Sequence, residues 1–425
     1  MTSSPVSLVL APGTNLVTGA QTFRGRFGSI TSLELDLLEF AAGVYGTDIG
    51  ILRGYGDDYP RDISLETEVS NVHAFERARE QLEFALHILT RDTWTLSFTP
   101  RQGVTEDGSE FPSAREGVVL LFSGGLDSLC AASQLLDGDI PTLFVSHKTH
   151  NQVTTRSQVE LLSSLGTVYR RRLDSASFTV FGRRHGGMDF PADANRENSQ
   201  RSRSFLFLTL AALSARRIGY RSIVMMAENG QFAIHLPLSA ARMGPFSTHT
   251  ADPEFLHIME SLLSRLLNID GFNVTNPFLY MTKAEVVSCI SGDMIHAIPK
   301  SVSCWRSARL GSIKHCGECI PCLARRIALE HNDLSSGPWN RDILTEDVLG
   351  LSAEDEGKRN LIELLEFIAP FTEIPANRNP ELVEQFPELI NPQIDVDQAI
   401  GMYRRFARET TAVLARYPNI QSVSR

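Results

Sequence analysis

Four closely spaced cysteines give this sequence its clearest candidate for metal chemistry. Cys304 is followed by Cys316, Cys319 and Cys322, and all four fall within nineteen residues. Thiolates at these spacings can form a tetrahedron around zinc, and four protein ligands leave no open coordination position, so such a zinc ion would be structural. An iron–sulfur cluster is the alternative, because C-x-x-C-x-x-C also occurs in ferredoxins, but the downstream Cys-Pro of that pattern is missing. The spacing therefore favours a structural zinc site.

A glycine-rich turn is the second feature with recognisable chemistry. The sequence SGGLDS follows an apolar run at residues 118–122 and precedes an apolar helical pattern. Glycines let a ligand approach the backbone, and successive N–H groups at a helix N-terminus bind anions. Asp127 would repel a bare phosphate, so we expect it to order the loop or to face a metal ion carried by the phosphates. The turn lacks the Walker A pattern. The candidate anion ligands are Ser123, Gly124, Gly125, Leu126, Asp127 and Ser128.

The elements around this turn predict its place in a sheet. Downstream of a polar linker, continuous apolar runs alternate with helical patterns, which is typical of βαβ units and a doubly wound parallel sheet. Further strands are expected at residues 141–148 and 167–174. Ligands of such sheets bind at the carboxyl ends of the strands. Ser123, Lys148 and Asn229 all fall at such ends. The pattern therefore predicts an α/β fold with these residues at its ligand-binding edge.

The regions on either side of this segment are predicted to be additions to it. Residues 1–114 contain two amphipathic helical patterns and strand-like segments at residues 7–11 and 93–100, so we expect an N-terminal α+β module. Residues 115–331 would form the α/β domain, whose C-terminal part the cysteines would staple. Residues 332–425 turn helical and acidic and predict a helical tail.

Composition and charge exclude several classes of protein. The chain has 425 residues, of which 42% are hydrophobic and 21% charged, as in ordinary globular proteins. Its net charge of −10 argues against a general grip on nucleic acid or anionic membrane. No stretch approaches the ~20 apolar residues of a membrane span, and the N-terminus lacks the pattern of a signal peptide. We therefore expect a cytoplasmic protein, in which thiols stay reduced.

The glycine turn resembles the PP-loop of the N-type ATP pyrophosphatases. The resemblance rests on SGGLDS directly after an apolar strand, at Ser123 to Ser128. It implies the adenine nucleotide α-hydrolase-like fold and the use of ATP with Mg²⁺. Enzymes of this superfamily cleave ATP between the α- and β-phosphates, transfer AMP to a carboxylate or carbonyl oxygen, and then displace AMP with a nitrogen or sulfur nucleophile. The motif identifies this chemistry better than it identifies a substrate.

The cysteines narrow the resemblance to the 7-cyano-7-deazaguanine synthases of the QueC family. C-G-x-C-x-x-C followed by an arginine is similar to the zinc signature of that family, which implies that the four cysteines bind zinc. The segment NPFLYMTKAEVV resembles the family's stretch before the zinc site, which implies that Lys283 contacts the phosphates. RSRSFLFL lies where the family has an arginine at a helix start, so the resemblance implies phosphate contacts for Arg201 or Arg203. Lys148 is a further candidate ATP ligand at its strand end.

The segment expected to contact the base departs from that family. Here the strand runs into AENGQFAIHLPLSAARMGPFSTHT instead of the family's small and acidic stretch. Side-chain amides and carboxylates can read the edge of a purine-like base, and an arginine can bind a carboxylate. The candidate substrate ligands are Glu228, Asn229, Gln231 and Arg242.

The whole pattern is most similar to the enlarged QueC-like proteins of bacterial antiphage operons, such as the Qat and some CBASS systems. The shared features are an N-terminal module ending in W-T-L-S-F-x-P, an E-N-G…L-P-L segment and a long tail. The resemblance implies an ATP-dependent, AMP-forming ligase for a 7-carboxy-7-deazaguanine-like carboxylate, with a nitrile or an amide as product. If the reaction stops at the amide, the amine would come from a protein partner encoded in the same operon, docked on the N-terminal module or the tail, and the product would be a deazaguanine-modified protein. The alternatives are a housekeeping 7-cyano-7-deazaguanine synthase, a tRNA thiolation enzyme and a non-catalytic nucleotide-binding scaffold.

Overall fold

The fold is seen in a computed structural model of the chain. It describes residues 7–54, 60–102, 111–149, 151–220, 223–238 and 249–421. No helix in these ranges is both long enough and apolar enough to cross a membrane.

The elements divide by position along the chain. The N-terminal elements are β1 (Leu16–Val17), α1 (Ala20–Phe27), α2 (Ser32–Gly50), β2 (Asp62–Val69), α3 (Val72–Thr90) and β3 (Thr93–Pro100). The middle elements are β4 (Val118–Leu121), α4 (Leu126–Asp137), β5 (Thr142–Lys148), α5 (Gln152–Val168), β6 (Asp174–Thr179), β7 (Phe181–Gly182), α6 (Arg203–Ile218), β8 (Ile223–Met225), α7 (Gly230–Ala233), α8 (Pro253–Leu267), β9 (Asn273–Thr275), α9 (Lys283–Ser288) and α10 (Ile320–His331). The tail contains α11 (Glu356–Glu373), α12 (Asn379–Gln385), α13 (Val396–Leu414) and α14 (Pro418–Gln421).

A five-stranded parallel sheet in the order β6-β5-β4-β8-β9 organises the middle of the chain. The next strands after β4 lie on one side of it, and β8 and β9 lie on the other, so the chain changes direction across the sheet between β4 and β8. Ligand crevices of open parallel sheets form at this switch point. The predicted doubly wound parallel sheet is thus confirmed, and the loops after β4 and β8 frame the expected ligand site.

Strand β4 is buried on both faces, as its continuous apolar run predicts. Val119 and Leu121 belong to a core that includes side chains of α2, α6 and α8. Val118 and Leu120 belong to a second core, formed with α4, α5, α9 and α10. Successive strand side chains point to opposite faces, so this alternation places helices on both sides of the sheet.

The N-terminal elements share the first of these cores. Helix α2 packs against α6 and α3 packs against α8, and the ring of Phe40 meets that of Phe205 edge to face with centroids 5.7 Å apart. Strands β2 and β3 pair in parallel as a separate two-stranded sheet. The tail instead has its own core, formed by α11 to α13 against α7 and α10. The domain boundaries at residues 114 and 331 stay predictions.

Two predicted strands are wrong. Residues 7–11 form no strand, because the Asn15 side chain occupies their backbone groups: its Oδ1 accepts from the Ala11 N–H at 2.7 Å and its Nδ2 donates to Val9 O at 2.7 Å. Residues 167–174 are not the third strand either. Helix α5 continues to Val168, and β6 runs over Asp174–Thr179.

Candidate active site

The glycine turn lies between β4 and α4, at the switch point of the sheet. Gly124 has a φ of +82°, in the left-handed region, and a Cβ there would lie 3.2 Å from the Gln158 backbone nitrogen. Gly125 is the N-cap of α4 and has no side chain to bond the first N–H groups of the helix. Ser123 Oγ accepts from the Gly125 N–H at 3.2 Å and donates to Ser128 Oγ at 3.3 Å. Backbone N–H groups and two hydroxyls therefore gather as an anion site requires.

The turn is braced from behind by α5 and by the segment before Cys304. The carbonyl of Gly124 accepts from the Val302 N–H at 3.0 Å and from the Ser157 hydroxyl at 2.9 Å. The same hydroxyl lies 2.7 Å from Lys300 O. These bonds satisfy a carbonyl that the left-handed turn would otherwise leave buried and unpaired.

Arg325 holds that bracing segment in place. Its guanidinium is fully buried and donates to Ser301 Oγ at 2.8 Å, Ser303 Oγ at 3.2 Å and Ile298 O at 2.8 Å. Burial lowers the pKa of Arg325 to about 10. Because Arg325 lies on α10 one turn after Cys322, the cysteine cluster and the glycine turn are connected through a single side chain.

Lys283 and Asp127 form a buried ion pair beside the turn. Lys283 Nζ lies 2.7 Å from Asp127 Oδ1, and both side chains are 7% exposed. Asn229 Nδ2 donates to Asp127 Oδ2 at 2.6 Å. Burial favours the neutral acid, but the charge of Lys283 and the surrounding hydrogen bonds outweigh it, so the pKa of Asp127 lies below its usual value. Asp127 thus orders the loop, one of the two roles expected of it, and fixes the lysine.

Glu228 is a second buried carboxyl group in this cluster. Burial and the charge of Asp127 raise the pKa of Glu228 well above its usual value. Its Oε1 accepts from Asn229 Nδ2 at 3.1 Å. Asn229 is fully buried, and its Oδ1 has no hydrogen-bond partner among the described residues. The cluster therefore has an open acceptor that a ligand can satisfy.

The turn, the Lys283–Asp127 pair and Glu228 line one cleft of about 220 Å³, whose lining residues do not include Gly124 or Asn229. The residues in its lining that the sequence predicts as site residues are Ser123, Gly125, Leu126, Asp127, Ser128, Glu228 and Lys283. The lining residues that sequence reasoning missed are Ala227, Phe232, Thr250, Val302, Ser303 and Pro321. Val302 and Ser303 directly precede the first cysteine of the cluster, and that position was the one available signal for them.

Gln231 supports Lys283 from the side. Its Oε1 accepts from the Lys283 backbone N–H at 2.6 Å, at the start of α9. This contact occupies the amide oxygen of a side chain that the sequence predicts as a substrate ligand. Arg242 lies outside the described residues.

The other predicted ATP ligands do not line the 220 Å³ cleft. Lys148 is exposed and lines a separate cleft of about 560 Å³ together with Arg156 and Phe181.

Arg201 is buried and donates to Thr90 O at 3.2 Å. Arg203 lies 4.8 Å from the centroid of the Phe207 ring, and its Nε and Nη2 are buried with no hydrogen-bond partner among the described residues. Burial lowers the pKa of Arg203.

The start of α6, which carries Arg203 and directly follows Arg201 and Ser202, is held by the N-terminal region. Asp48 Oδ2, on α2, accepts from the backbone N–H and the hydroxyl of Ser202, each at 2.9 Å. Asp48 is paired in turn with Arg61 at 2.5 Å, and Arg61 also reaches Asp92 at 2.6 Å. Arg53 completes the group at 2.5 Å from Asp92. A carboxylate from a distant helix thus caps α6.

The four cysteines converge as their spacing predicts. All are buried, and their Sγ atoms lie within 4.8 Å of one another. The distance from Cys316 Sγ to Cys322 Sγ is 3.8 Å, and that from Cys319 Sγ to Cys304 Sγ is 3.9 Å. A tetrahedron with Zn–S bonds of ~2.3 Å has sulfurs about 3.8 Å apart, so the cluster fits zinc.

The backbone around the cluster suits thiolate ligands. Cys304 Sγ accepts from the Arg306 N–H at 3.3 Å, and Cys316 Sγ accepts from the Cys319 N–H at 3.4 Å. Such bonds stabilise sulfur ligands and orient them. Gly317 has a φ of +87°, and a Cβ there would lie 1.9 Å from Arg341 O, so the turn between the cysteines requires glycine.

The family comparison agrees with this arrangement. The model of queuosine biosynthesis protein QueC matches residues 117–333, just over half of the chain. The chain belongs to the QueC family, whose members have a PP-loop fold. Searches of curated proteins and of solved structures gave no match. The match supports an ATP-utilising enzyme with ATP-dependent C–N bond formation on a deazaguanine-like substrate.

Proposed function

We propose that this chain is an ATP-dependent, AMP-forming ligase that adenylates a carboxylate on a 7-deazaguanine-like base and joins it to nitrogen. The observation that carries the proposal is one cleft at the switch point of the sheet, where the glycine turn, Lys283 and Glu228 meet. The proposed phosphate site and the proposed site for the base would thus be adjacent. An adenylating enzyme needs that juxtaposition, because its two substrates must react directly.

The ATP side of the cleft is assigned to the turn at Ser123 to Ser128. The N–H groups at the start of α4 suit the phosphates of ATP, which would arrive as the Mg²⁺ complex, and the two hydroxyls, which now bond within the turn, could turn to join them. Both Asp127 oxygens are engaged by Lys283 and Asn229, so magnesium would depend mainly on phosphate oxygens. Lys148, Arg201 and Arg203 are proposed as outer ATP contacts. The open Nε and Nη2 of Arg203 support its assignment to a phosphate.

The chemistry divides into two displacements. An oxygen of the substrate carboxylate attacks the α-phosphorus, the bond to the bridging oxygen breaks, and pyrophosphate leaves. Lys283 would stabilise the negative charge that grows on the pyrophosphate. An amine nitrogen then attacks the acyl carbon, AMP leaves with its oxygen, and the nitrogen loses a proton to give an amide. Where the amine is ammonia, the amide oxygen would attack the α-phosphorus of a second ATP with loss of pyrophosphate, and departure of AMP with that oxygen and loss of the two N–H protons would give the nitrile.

The base is proposed to bind against Glu228, Asn229, Gln231 and Arg242. Asn229 Oδ1 is the best supported of these contacts, because it is buried and open. An N–H group of the base would satisfy it. Gln231 can contribute through its amide nitrogen, since its oxygen is bonded to Lys283. Arg242 is proposed on chemical grounds alone, as the partner of the substrate carboxylate.

Zinc completes the proposal on the structural side. The cysteine cluster would hold the ion, which would supply folding free energy rather than a reaction step. Thiolate ligands need a reducing compartment, which supports a cytoplasmic location. The antiphage role and a partner protein that supplies the amine are also proposed. They rest on the resemblance to QueC-like proteins of defence operons and on the two regions outside the family match.

The test measures AMP and pyrophosphate from the purified protein with Mg·ATP and 7-carboxy-7-deazaguanine, with and without ammonia. We expect both products to form only when the carboxylate is present. Lys283→Met should lower kcat by about 10²–10³, the cost of removing one group that stabilises transition-state charge. Lys358→Met is the control, because the Lys358 ammonium group donates to the carbonyls of Leu349 and Leu351, which lie within the tail. Absence of AMP under all of these conditions would reject the ligase assignment.

A further inference from the structure

Helix α13 of the tail forms hydrogen bonds with the segment that carries Lys283. Arg405 Nε donates to Glu285 Oε1 at 2.6 Å, and Arg405 Nη2 donates to Tyr280 O at 2.8 Å. Glu285 is the N3 residue of α9, and its Oε2 accepts from the Thr282 N–H at 2.8 Å. One arginine therefore binds the residue that closes the N-terminus of α9 and also the chain leading into it.

Glu409 binds Thr282, the other residue that closes the N-terminus of α9. Its Oε1 accepts from the Thr282 hydroxyl at 2.8 Å, and that hydroxyl also accepts from the Glu285 N–H at 3.1 Å. Thr282 and Glu285 together form a capping box. Arg405 and Glu409 are four residues apart, so they lie on one face of α13 and hold both members of the box at once.

A third contact from the tail reaches Lys283 through Gln231. The Tyr403 hydroxyl accepts from the Leu236 N–H at 3.3 Å and donates to Gln231 O at 3.4 Å. Gln231 Oε1 in turn accepts from the Lys283 N–H. Tyr403 is 1% exposed, so its hydroxyl is held firmly by the packing around it.

These contacts matter because α9 has only six residues. A helix of this length does not hold its own conformation in water, so its N-terminus must be fixed by other elements. We infer that α13 is a positioning element of the ATP site, in which Arg405 and Glu409 fix the capping box of α9 and thereby keep Lys283 on Asp127 in the cleft. The catalytic meaning of this role rests on the proposed function, whereas the positioning itself does not.

The test compares Arg405→Met with Arg404→Met in the full-length protein. Arg404 is the matched control, because it is the neighbouring arginine on α13 and bonds Asn379 within the tail at 2.8 Å. Arg405→Met should lower kcat for AMP formation by about tenfold or more with a smaller change in KM for ATP, since a displaced Lys283 weakens the transition state more than ground-state binding. Arg405→Lys should restore part of the loss, because lysine can make one of the bonds. Arg404→Met should match the unaltered protein.

A second readout does not require activity. The acylation rate of Lys283 by an amine-selective ester, followed by mass spectrometry of its peptide, reports how often the Asp127 pair opens. We expect a rate increase of about tenfold in Arg405→Met and none in Arg404→Met. If neither kcat nor this rate separates the two variants, the inference is overturned. If the unaltered protein makes no AMP but the rates still differ, the positioning role stands and the proposed function fails. Arg405→Lys permits the same comparison if the methionine variant does not fold.

Discussion

The N-terminal region and the C-terminal tail both hold the start of a helix that carries a candidate ATP ligand, but they do so by different physical means. The N-terminal region caps α6 with Asp48, inside a network in which Arg53 and Asp92 have side chains 2% and 0% exposed. The tail holds α9 through Arg405 and Glu285, whose side chains are 36% and 33% exposed. A buried charge that loses its partner costs far more than a half-exposed one. Damage to the first contact should therefore threaten the fold, and damage to the second should mainly alter the site.

Core packing reinforces this difference. N-terminal side chains such as Phe40 belong to the same core as β4 and α6, so they cannot unpack without opening the sheet. The tail has a core of its own, to which the sheet domain contributes chiefly α10 side chains such as Leu323 and Ile327. Separate cores permit separate opening. Of the two regions, the tail is thus the one that can loosen while the rest of the protein stays folded.

The largest effect is expected at Asp48. Asp48→Ala leaves Asp92 to balance the buried charges of both Arg53 and Arg61 and removes the cap of α6, so the free energy of unfolding should fall by about 3–5 kcal/mol. Urea denaturation followed by circular dichroism measures the change. Asp62→Ala is the control, because Asp62 is exposed at the start of β2. Equal costs for the two substitutions would show that the buried network does not hold the N-terminal region.

Loss of the proposed zinc ion should separate the two regions most clearly. Cys319→Ser removes a proposed zinc ligand at the N-terminus of α10, which contributes side chains to the tail core. Amide hydrogen exchange in α11 and α13 should become about a hundredfold faster, which is about 3 kcal/mol, because metal binding contributes folding free energy. Exchange in α2 should stay unchanged. Cys289→Ser, at a cysteine outside the cluster, is the control. Equal acceleration in α2 and α13 would mean that the two regions open together.

The limits of sequence reasoning follow the same division. The glycine turn, the cysteine cluster and Lys283 were found because each sits in a short motif. Asp48 and Glu409 were missed, because they meet their partners across 154 and 127 residues of sequence with no motif at either end. Strand β6 was misplaced because its inward residues, Ala176 and Phe178, alternate with polar ones and give no continuous apolar run. Residues within short motifs can thus be predicted from the sequence, whereas contacts between residues far apart in the sequence cannot.

A smaller effect, which changes with pH, is expected at Glu409. Burial raises the pKa of Glu409 from 4.5 to about 7, and the charge of Glu285 adds to this rise. The hydrogen bond from Thr282 and the charges of Arg405 and Arg408 lower the pKa, but by less. The folded protein therefore binds a proton more tightly than the unfolded chain, and its free energy of unfolding falls as pH rises between these two values. Glu409→Gln removes this dependence. The difference in free energy of unfolding, Glu409→Gln minus the unaltered protein, should therefore increase by about 2 kcal/mol from about pH 5.5 to about pH 8.

Urea denaturation at the two pH values measures this difference. Glu384→Gln, at an exposed position of α12, is the control and should show no such trend. A trend of the opposite sign would mean that the charged form of Glu409 stabilises the grip of the tail on α9.

The smallest effect is expected at an ion pair on the surface of the tail. Arg378 pairs with Glu381, but their side chains are 58% and 40% exposed. Solvent screens such a pair, so Arg378→Ala should change the free energy of unfolding by less than about 0.5 kcal/mol. Urea denaturation beside Asp48→Ala, in the same buffer, gives the comparison directly. A cost above about 2 kcal/mol would mean that exposed charges hold the tail as firmly as buried charges hold the N-terminal region, because only strong coupling in a network gives an exposed pair that value. In that case the different burial of their ion pairs would not explain why the two regions differ.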